Sequence, residues 1–290
     1  MTDQSRADVP NPQAGLYGAP VTPPTRPLPL RQMGIGELVD GAFKLYRRDW
    51  LALIAISAFV LVPVTFLQAW ISQGILTITE TSTFEEIEAA TGQLLAVTLV
   101  FVLIQLLIVQ PFLVAALTRA AADAYLGKQV TIGNVSRYAL ARLPAILWIT
   151  VITGVLTLLG LFLLVIGAVI IGIRLTLAPA ILVVEDVRGT NAIRRSWALT
   201  RDNAWRVFAT LLLAGIISAI GTAIVTLPTE FIATTMGTDG WFVSVAGQIF
   251  ATVVTMPFSL LIVVLLYFDL RVRKEGYDIE VMAQELASSS

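Results

Sequence analysis

The sequence predicts an all-α, polytopic membrane protein. Its six transmembrane helices are expected as three helical hairpins, each preceded by a cytoplasmic amphipathic helix at the interface. Three observations lead there. First, the 290 residues are 57% hydrophobic and only 13% charged, against about 25% charge in a soluble domain. Second, the regions 51–72, 94–118, 145–184, 207–228 and 242–268 contain no acid and, apart from Arg174, no base. Each is long enough to cross a ~30 Å hydrocarbon core at about 1.5 Å per residue. Third, the bases fall in some connections and avoid others.

The third region sets the number of crossings. "AILWITVITGVLTLLGLFLLVIGAVIIGIRLTLAPAILVV" is 40 residues long. As one helix it would be roughly 60 Å, twice the hydrocarbon thickness. As two spans, 145–162 and 165–184, it turns within 157–168, near "GLFLLVIG". The bases favour the second option. Of the 19 lysines and arginines, six lie in 1–50, four in 119–143, five in 188–206 and three in 271–274; the last is Arg174. The connections 73–93 and 229–241 have none. Six spans put every basic segment on one side, so both termini are expected in the cytoplasm of a bacterial cell, with the chain in the plasma membrane.

Residues 1–30 carry seven of the 13 prolines and no apolar h-region. They read as a flexible Pro-rich cytoplasmic tail rather than a signal peptide. The membrane domain then covers 31–275, and 276–290 is a short polar tail.

Three cytoplasmic segments look alike: "IGELVDGAFKLYRRDWLAL" (35–53), "IGNVSRYALARLPAIL" (132–147) and "GTNAIRRSWALTRDNAWRVF" (189–208). In each, apolar residues recur at helical spacing and bases occupy the other face, the pattern of an interfacial helix. Lys44, Arg47, Arg48, Arg194, Arg195 and Arg201 are expected on anionic headgroups, with Trp197 and Trp205 at the acyl boundary. The shared order of amphipathic helix and hairpin makes a threefold parallel repeat.

These blocks carry a resemblance. "MGIGELVDGAFKLYRRDW" (33–50), "RLTLAPAILVVED" (174–186) with "AIRRSWALTRDNAWRVF" (192–208), and "LLYFDLRVRKEGYDIE" (265–280) are similar to bacterial membrane proteins related to the glycerophosphoryl diester phosphodiesterase membrane domain. The resemblance spans roughly residues 30 to 280. It implies a six-helix membrane domain, mostly of unknown molecular function, and does not imply an enzyme; no soluble catalytic domain is expected alongside it.

The residues agree. There is no histidine and no cysteine, so paired-histidine acid–base work and thiol chemistry are unavailable. No GxxxxGK[ST] loop or Gly-x-Ser-x-Gly elbow is present. The acidic stretch "TETSTFEEIEAA", with Glu80, Glu85, Glu86 and Glu88, reads as a solvated loop. No catalytic residue, metal site or cofactor is expected, and no nucleic acid as partner; membrane lipids, mainly anionic, and protein partners are.

Two kinds of site remain. Gly215, Ala219 and Ala223 repeat every fourth residue of the fifth span, which suits close helix packing. Arg174 is expected near mid-depth, facing the interior within reach of Gln105 and Gln110 in the second span, or of the Leu107 carbonyl that Pro111 deprives of its donor. There it acts as internal glue or as an anion site. The function expected is a non-enzymatic scaffold or accessory module organising membrane partners or lipids. The alternative is a transporter or flippase-like protein for an anionic or amphiphilic solute.

The topology yields the first prediction. Cysteines introduced at Thr81 and Thr238 react with an impermeant thiol reagent in intact cells, and one at Thr190 does not. Labelling at Thr190 would overturn the six-span arrangement.

Overall fold

The computed structural model describes residues 31–75, 83–162, 164–187 and 189–277. The Pro-rich segment 1–30, the loop 76–82 with Glu80, and residues 278–290 lie outside these, and with them the expectations placed on the tails. The described chain is helical: α1 (Ile35–Ile75), α2 (Phe84–Ile104), a π-turn (Gln105–Val109), α3 (Gln110–Tyr125), α4 (Ile132–Phe162), α5 (Leu164–Leu175), α6 (Ala178–Glu185), α7 (Thr190–Thr200), α8 (Ala204–Thr235) and α9 (Trp241–Glu275). A short 3-10 turn, Gly237–Gly240, leads into α9.

Six stretches are long and apolar enough to cross a membrane: Ile35–Ile75, Phe84–Tyr125, Ile132–Gly160, Ile166–Glu185, Ala204–Thr235 and Trp241–Glu275. The 40-residue apolar region divides as its length requires, with α4 ending at Phe162 and α5 starting at Leu164. Gly160 permits that close return. A Cβ there would stand 2.8 Å from Ile171 Cδ1 and 3.0 Å from the Ala168 backbone. The acidic stretch has a local use as well. Thr83 and Glu86 form a capping box at the start of α2, with Glu86 accepting from the Thr83 amide at 2.8 Å. Glu85 and Glu86 lie in the first turn, where carboxylates suit the helix dipole.

The three amphipathic segments take three different forms. The first is the opening of α1, set off by non-helical backbone at Asp49. The second runs unbroken into α4 through Pro144. The third is the separate helix α7, followed by Asp202 at φ 67° and then by α8. The apolar face of the first does not lie free for lipid: Leu38, Ala42 and Leu45 are fully buried in the protein's own core.

Burial is uneven along the helices. In α3, twelve residues from Pro111 to Tyr125 are buried, six of them alanines. Small residues let α3 sit among α1, α4, α6 and α9, which is how helices pack where lipid supplies no hydrophobic drive. The second half of α9, Leu261 to Val272, is almost wholly buried, and Tyr125 stacks on Phe268 at 4.4 Å. In α2, by contrast, only Phe101 is buried. The tight core therefore lies towards one end, where the starts of α1, α4 and α8 meet the ends of α3, α6 and α9. That end carries the bases and is called the basic end below.

The small-residue face expected in the fifth span is corrected. Gly215 and Ala219 are exposed, and a Cβ on Gly215 would meet nothing within 4 Å. The contact between α8 and α9 uses the neighbouring face. Ala214 is buried, Ser218 Oγ lies 2.8 Å from Ser259 Oγ, and Gly221 faces Thr255. At the other end of the seam a Cβ on Gly247 would stand 2.1 Å from Thr229 Oγ1. Four-residue spacing indicates that a close-packing face is available; which side meets a neighbour depends on where that neighbour lies.

Gly247→Ala should therefore cost about 1–3 kcal/mol through overpacking, while Gly215→Ala should be neutral or stabilising. Heat denaturation of the two variants in one detergent checks this; equal midpoints would refute the assigned seam.

Candidate functional site

The last turns of α9 read "LLYFDLRVRKE", and they turn an apolar helix into a junction of charge. Asp269 is fully buried. Its carboxylate accepts from the Met33 amide at 2.7 Å, from Arg206 Nε at 3.0 Å and from Arg273 Nε at 2.9 Å. Both arginines also donate to the Met33 carbonyl, Arg273 at 2.9 Å. One carboxylate thus joins the segment before α1, the start of α8 and the end of α9. Burying it unpaired would cost several kcal/mol, which two guanidinium groups and an amide offset.

A second junction lies beside it. Glu185, at the end of α6, accepts from Arg195 Nε at 3.0 Å and from the Tyr267 hydroxyl at 2.9 Å. Arg195 reaches on to Glu275, 2.7 Å from Nη2. The Glu275 carboxylate, with Glu185 behind it, holds the Arg195 guanidinium still more firmly protonated than arginine usually is. Arg271 stacks on Tyr277 at 3.9 Å and pairs with Glu275 at 3.3 Å. Arg142 joins Asp186 at 2.6 Å, and Arg48 donates to the Ala124 carbonyl at 2.8 Å. Arg195 and Arg48, expected on lipid headgroups, are instead committed to protein partners. Lys44 pairs with Asp40 at an exposed site. Arg47, Arg194 and Arg201 are exposed, as are Trp50, Trp197 and Trp205.

Arg174 also departs from expectation. It is the penultimate residue of α5, just before the chain breaks at Thr176 and Leu177 ahead of Pro179. The break lets α7 fold against this point. Ser196 Oγ donates to the Arg174 carbonyl at 2.7 Å, and the guanidinium lies 5.5 Å from the Trp197 ring centroid. Nε and Nη1 are enclosed without a hydrogen-bond partner. The arginine thus has an indole for a neighbour rather than the amides of the second span. Leu175 and Thr176, the next residues, face Leu106 and Val114 of the second span across an apolar cleft of about 620 Å³.

Gln105 and Gln110 belong to another cleft, of about 450 Å³, between α1, the π-turn and the first half of α9. Thr65, Gln68 and Ser72 line it from α1, and Gln248 and Thr252 from α9. Pro111 lacks a backbone N–H, and ahead of it the helix widens so that the Gln110 amide donates to the Gln105 carbonyl. A turn closed between residues five apart stacks them, so both glutamines reach one cleft; ordinary α-winding would set them on different faces. Among the described residues, no charged side chain lines it.

Sequence reasoning missed Gln68 and Gln248, although each was visible as an amide inside an apolar run. It missed Asp269 because that residue stands just past the last such run and reads as a boundary. Among the described residues, no group of three or more His, Cys, Asp or Glu is arranged to hold a metal ion.

A family model described as "Membrane domain of glycerophosphoryl diester phosphodiesterase" matches residues 142–286, half of the chain. No curated protein and no solved structure gives a significant match. The matched segment contains Glu185, Arg195, Arg206, Asp269 and Arg273, hence most of both junctions.

Asp269→Asn leaves two guanidinium groups against a neutral amide and should cost about 3–5 kcal/mol. Asp40→Asn, at the exposed pair with Lys44, should change little. Unfolding in mild detergent compares them; similar behaviour would show that the Asp269 junction does not hold the helix ends.

Proposed function

This chain belongs to the family of the membrane domain of glycerophosphoryl diester phosphodiesterase, and from that membership we propose that it is a non-enzymatic accessory module, organising lipids and protein partners at the bacterial plasma membrane. The match is to a membrane domain, not to a catalytic one. One observation carries the reading. The buried charges at the basic end are each engaged by another helix end, which stiffens that end, while Arg47, Arg194, Arg201 and three tryptophans remain outward.

In this reading the basic end faces the cytoplasm. The six spans stand as three hairpins, and the start of α1, the start of α4 and α7 lie along the inner leaflet. Each exposed base near an anionic surface contributes about 1 kcal/mol at low salt, and the indoles seat at the headgroup level. The contact of the Arg174 guanidinium with the Trp197 ring supports the internal-glue role, while its two enclosed, unpartnered nitrogens leave the anion site as the alternative. The second reading, a transporter or flippase-like protein, is favoured by the π-turn and the polar cleft beside it, because irregular helices that line cavities mark transport paths.

Reconstitution tests the choice. In nanodiscs, raising the phosphatidylglycerol fraction should raise the unfolding midpoint. The gain should shrink in high salt and largely vanish in Arg47→Gln/Arg194→Gln/Arg201→Gln. Absence of any lipid dependence would overturn the accessory reading, as would lipid scrambling in proteoliposomes above the protein-free rate.

A further inference from the structure

We propose that the glutamine-lined cleft binds the uncharged, polyhydroxylated headgroup of a membrane lipid, and that an acyl chain of the same lipid lies in the adjoining apolar groove between α1 and α9. The proposal goes beyond the accessory reading and does not depend on it. That reading concerns the basic end; the cleft lies in the opposite half of the molecule, where α1 runs out towards Ile75 and α9 begins at Trp241.

The polar groups come first. Gln68, Gln105, Gln110 and Gln248 converge on one cleft from four elements, and no hydrogen bond joins any of these four side chains to another described residue. A primary amide taken from water into hydrocarbon without a partner costs on the order of several kcal/mol. Four gathered in one place within apolar spans are therefore poor packing residues. They form a polar surface that something else must satisfy. Polar side chains within membrane-spanning helices commonly face a cavity or a pathway rather than lipid.

The chemistry of the lining selects the ligand. An amide offers two donors and an acceptor, and the hydroxyls of Thr65 and Ser72 can do both. Such a surface matches a ligand that also donates and accepts at many points, as vicinal hydroxyls do. Among the described residues it has nothing to neutralise a phosphate or an ammonium, because none of those that line the cleft is charged. Its volume, about 450 Å³, falls within the usual ~300–1,000 Å³ of small-molecule sites. The π-turn supplies the aim by stacking Gln105 over Gln110, and such turns recur at functional positions.

The apolar groove supplies the second half of the ligand. Ile54, Ala58, Val62 and Phe66 line it from α1, and its volume is about 540 Å³. It shares Val245 and Ile249 of α9 with the glutamine cleft, so the two sites are the two flanks of one ridge. From Ile54 to Phe66 the helix rises roughly 18 Å, about the depth of one leaflet's share of a ~30 Å core. A polar head site joined to an apolar track of leaflet depth describes an amphiphile; a free sugar would use only the first.

The test uses the full chain in phosphatidylcholine nanodiscs, with thermal unfolding and native mass spectrometry as readouts. A monoglucosyl diacylglycerol at low mole fraction should raise the midpoint and stay bound. Phosphatidic acid at the same fraction should not compete with it at this site. Gln105→Leu/Gln248→Leu should weaken glycolipid retention about tenfold or more. Without glycolipid the same variant should be as stable as the native chain or more so, since two unpaired amides are gone; a merely structural role would lower its stability instead. Gln68→Leu alone serves the same comparison should the double variant fail to fold. Phe66→Ala should weaken the glycolipid and leave any effect of free glucose unchanged. Three results would overturn the proposal: an equal shift with free glucose, which would make the ligand a soluble polyol; competition by phosphatidic acid; or no shift with either sugar form, which would leave the cleft holding water alone.

Discussion

A buried carboxylate that must be neutralised organises this protein. Asp269 lies inside the packed end of α9 with no exposure, and it is tolerable there only while Arg206, Arg273 and the Met33 amide stay in place. That requirement brings the chain ahead of α1 against the first turn of α8. Glu185 acts likewise on α6, α7 and α9 through Arg195 and Tyr267. Apolar packing in lipid discriminates weakly between one helix pairing and another, because lipid tails compete on nearly equal terms. Charged junctions discriminate strongly, and so fix which ends meet.

From that fixed end the molecule loosens. The alanines of α3 fill the middle of the basic half, and α9 is almost wholly covered there. Towards the other end burial thins: α2 keeps one buried side chain, and the glutamine cleft and apolar groove open between α1 and α9. One half is built to hold shape and the other has room for guests. The same division explains why Arg48 and Arg195 turned inward while Arg47 and Arg194 did not: the former stand where a helix end offers a carbonyl or a carboxylate.

Six helices long and apolar enough to cross a membrane were legible because length and hydropathy are properties of each segment alone. The division of 145–184 followed from length and was met at Leu164. Pairings were not legible. Asp269 finds Arg206 sixty-three positions away and Met33 two hundred and thirty-six away, and no local pattern announces either. Gly215, Ala219 and Ala223 advertised a close-packing face, yet α9 lies against Ala214, Ser218 and Gly221 instead. For Arg174 the break at "TLAP" was in view, but the return of α7 onto it was not, so Trp197 was assigned to lipid and the arginine to the second span. Gln105 and Gln110 were picked for their nearness to Pro111. What they share, a widened turn, leaves no trace in helical periodicity.

That widened turn has an evolutionary consequence. A π-turn is an α-helix carrying one residue too many, confined between α2 and α3 and held at its far side by Pro111. Deleting one residue of 106–109 would restore regular winding with little net rotation, because five residues of the wide turn sweep nearly the same arc as four of an α-helix. The alanine face of α3 would stay seated, α2 would keep nearly the same stripe towards the bilayer, and the two amides would become i,i+4 neighbours on one face. The extra residue is therefore an insertion that the helix absorbs where it occurs, so relatives shorter by one residue at this point should keep both the packed core and the paired amides, and lose only the widened backbone between them.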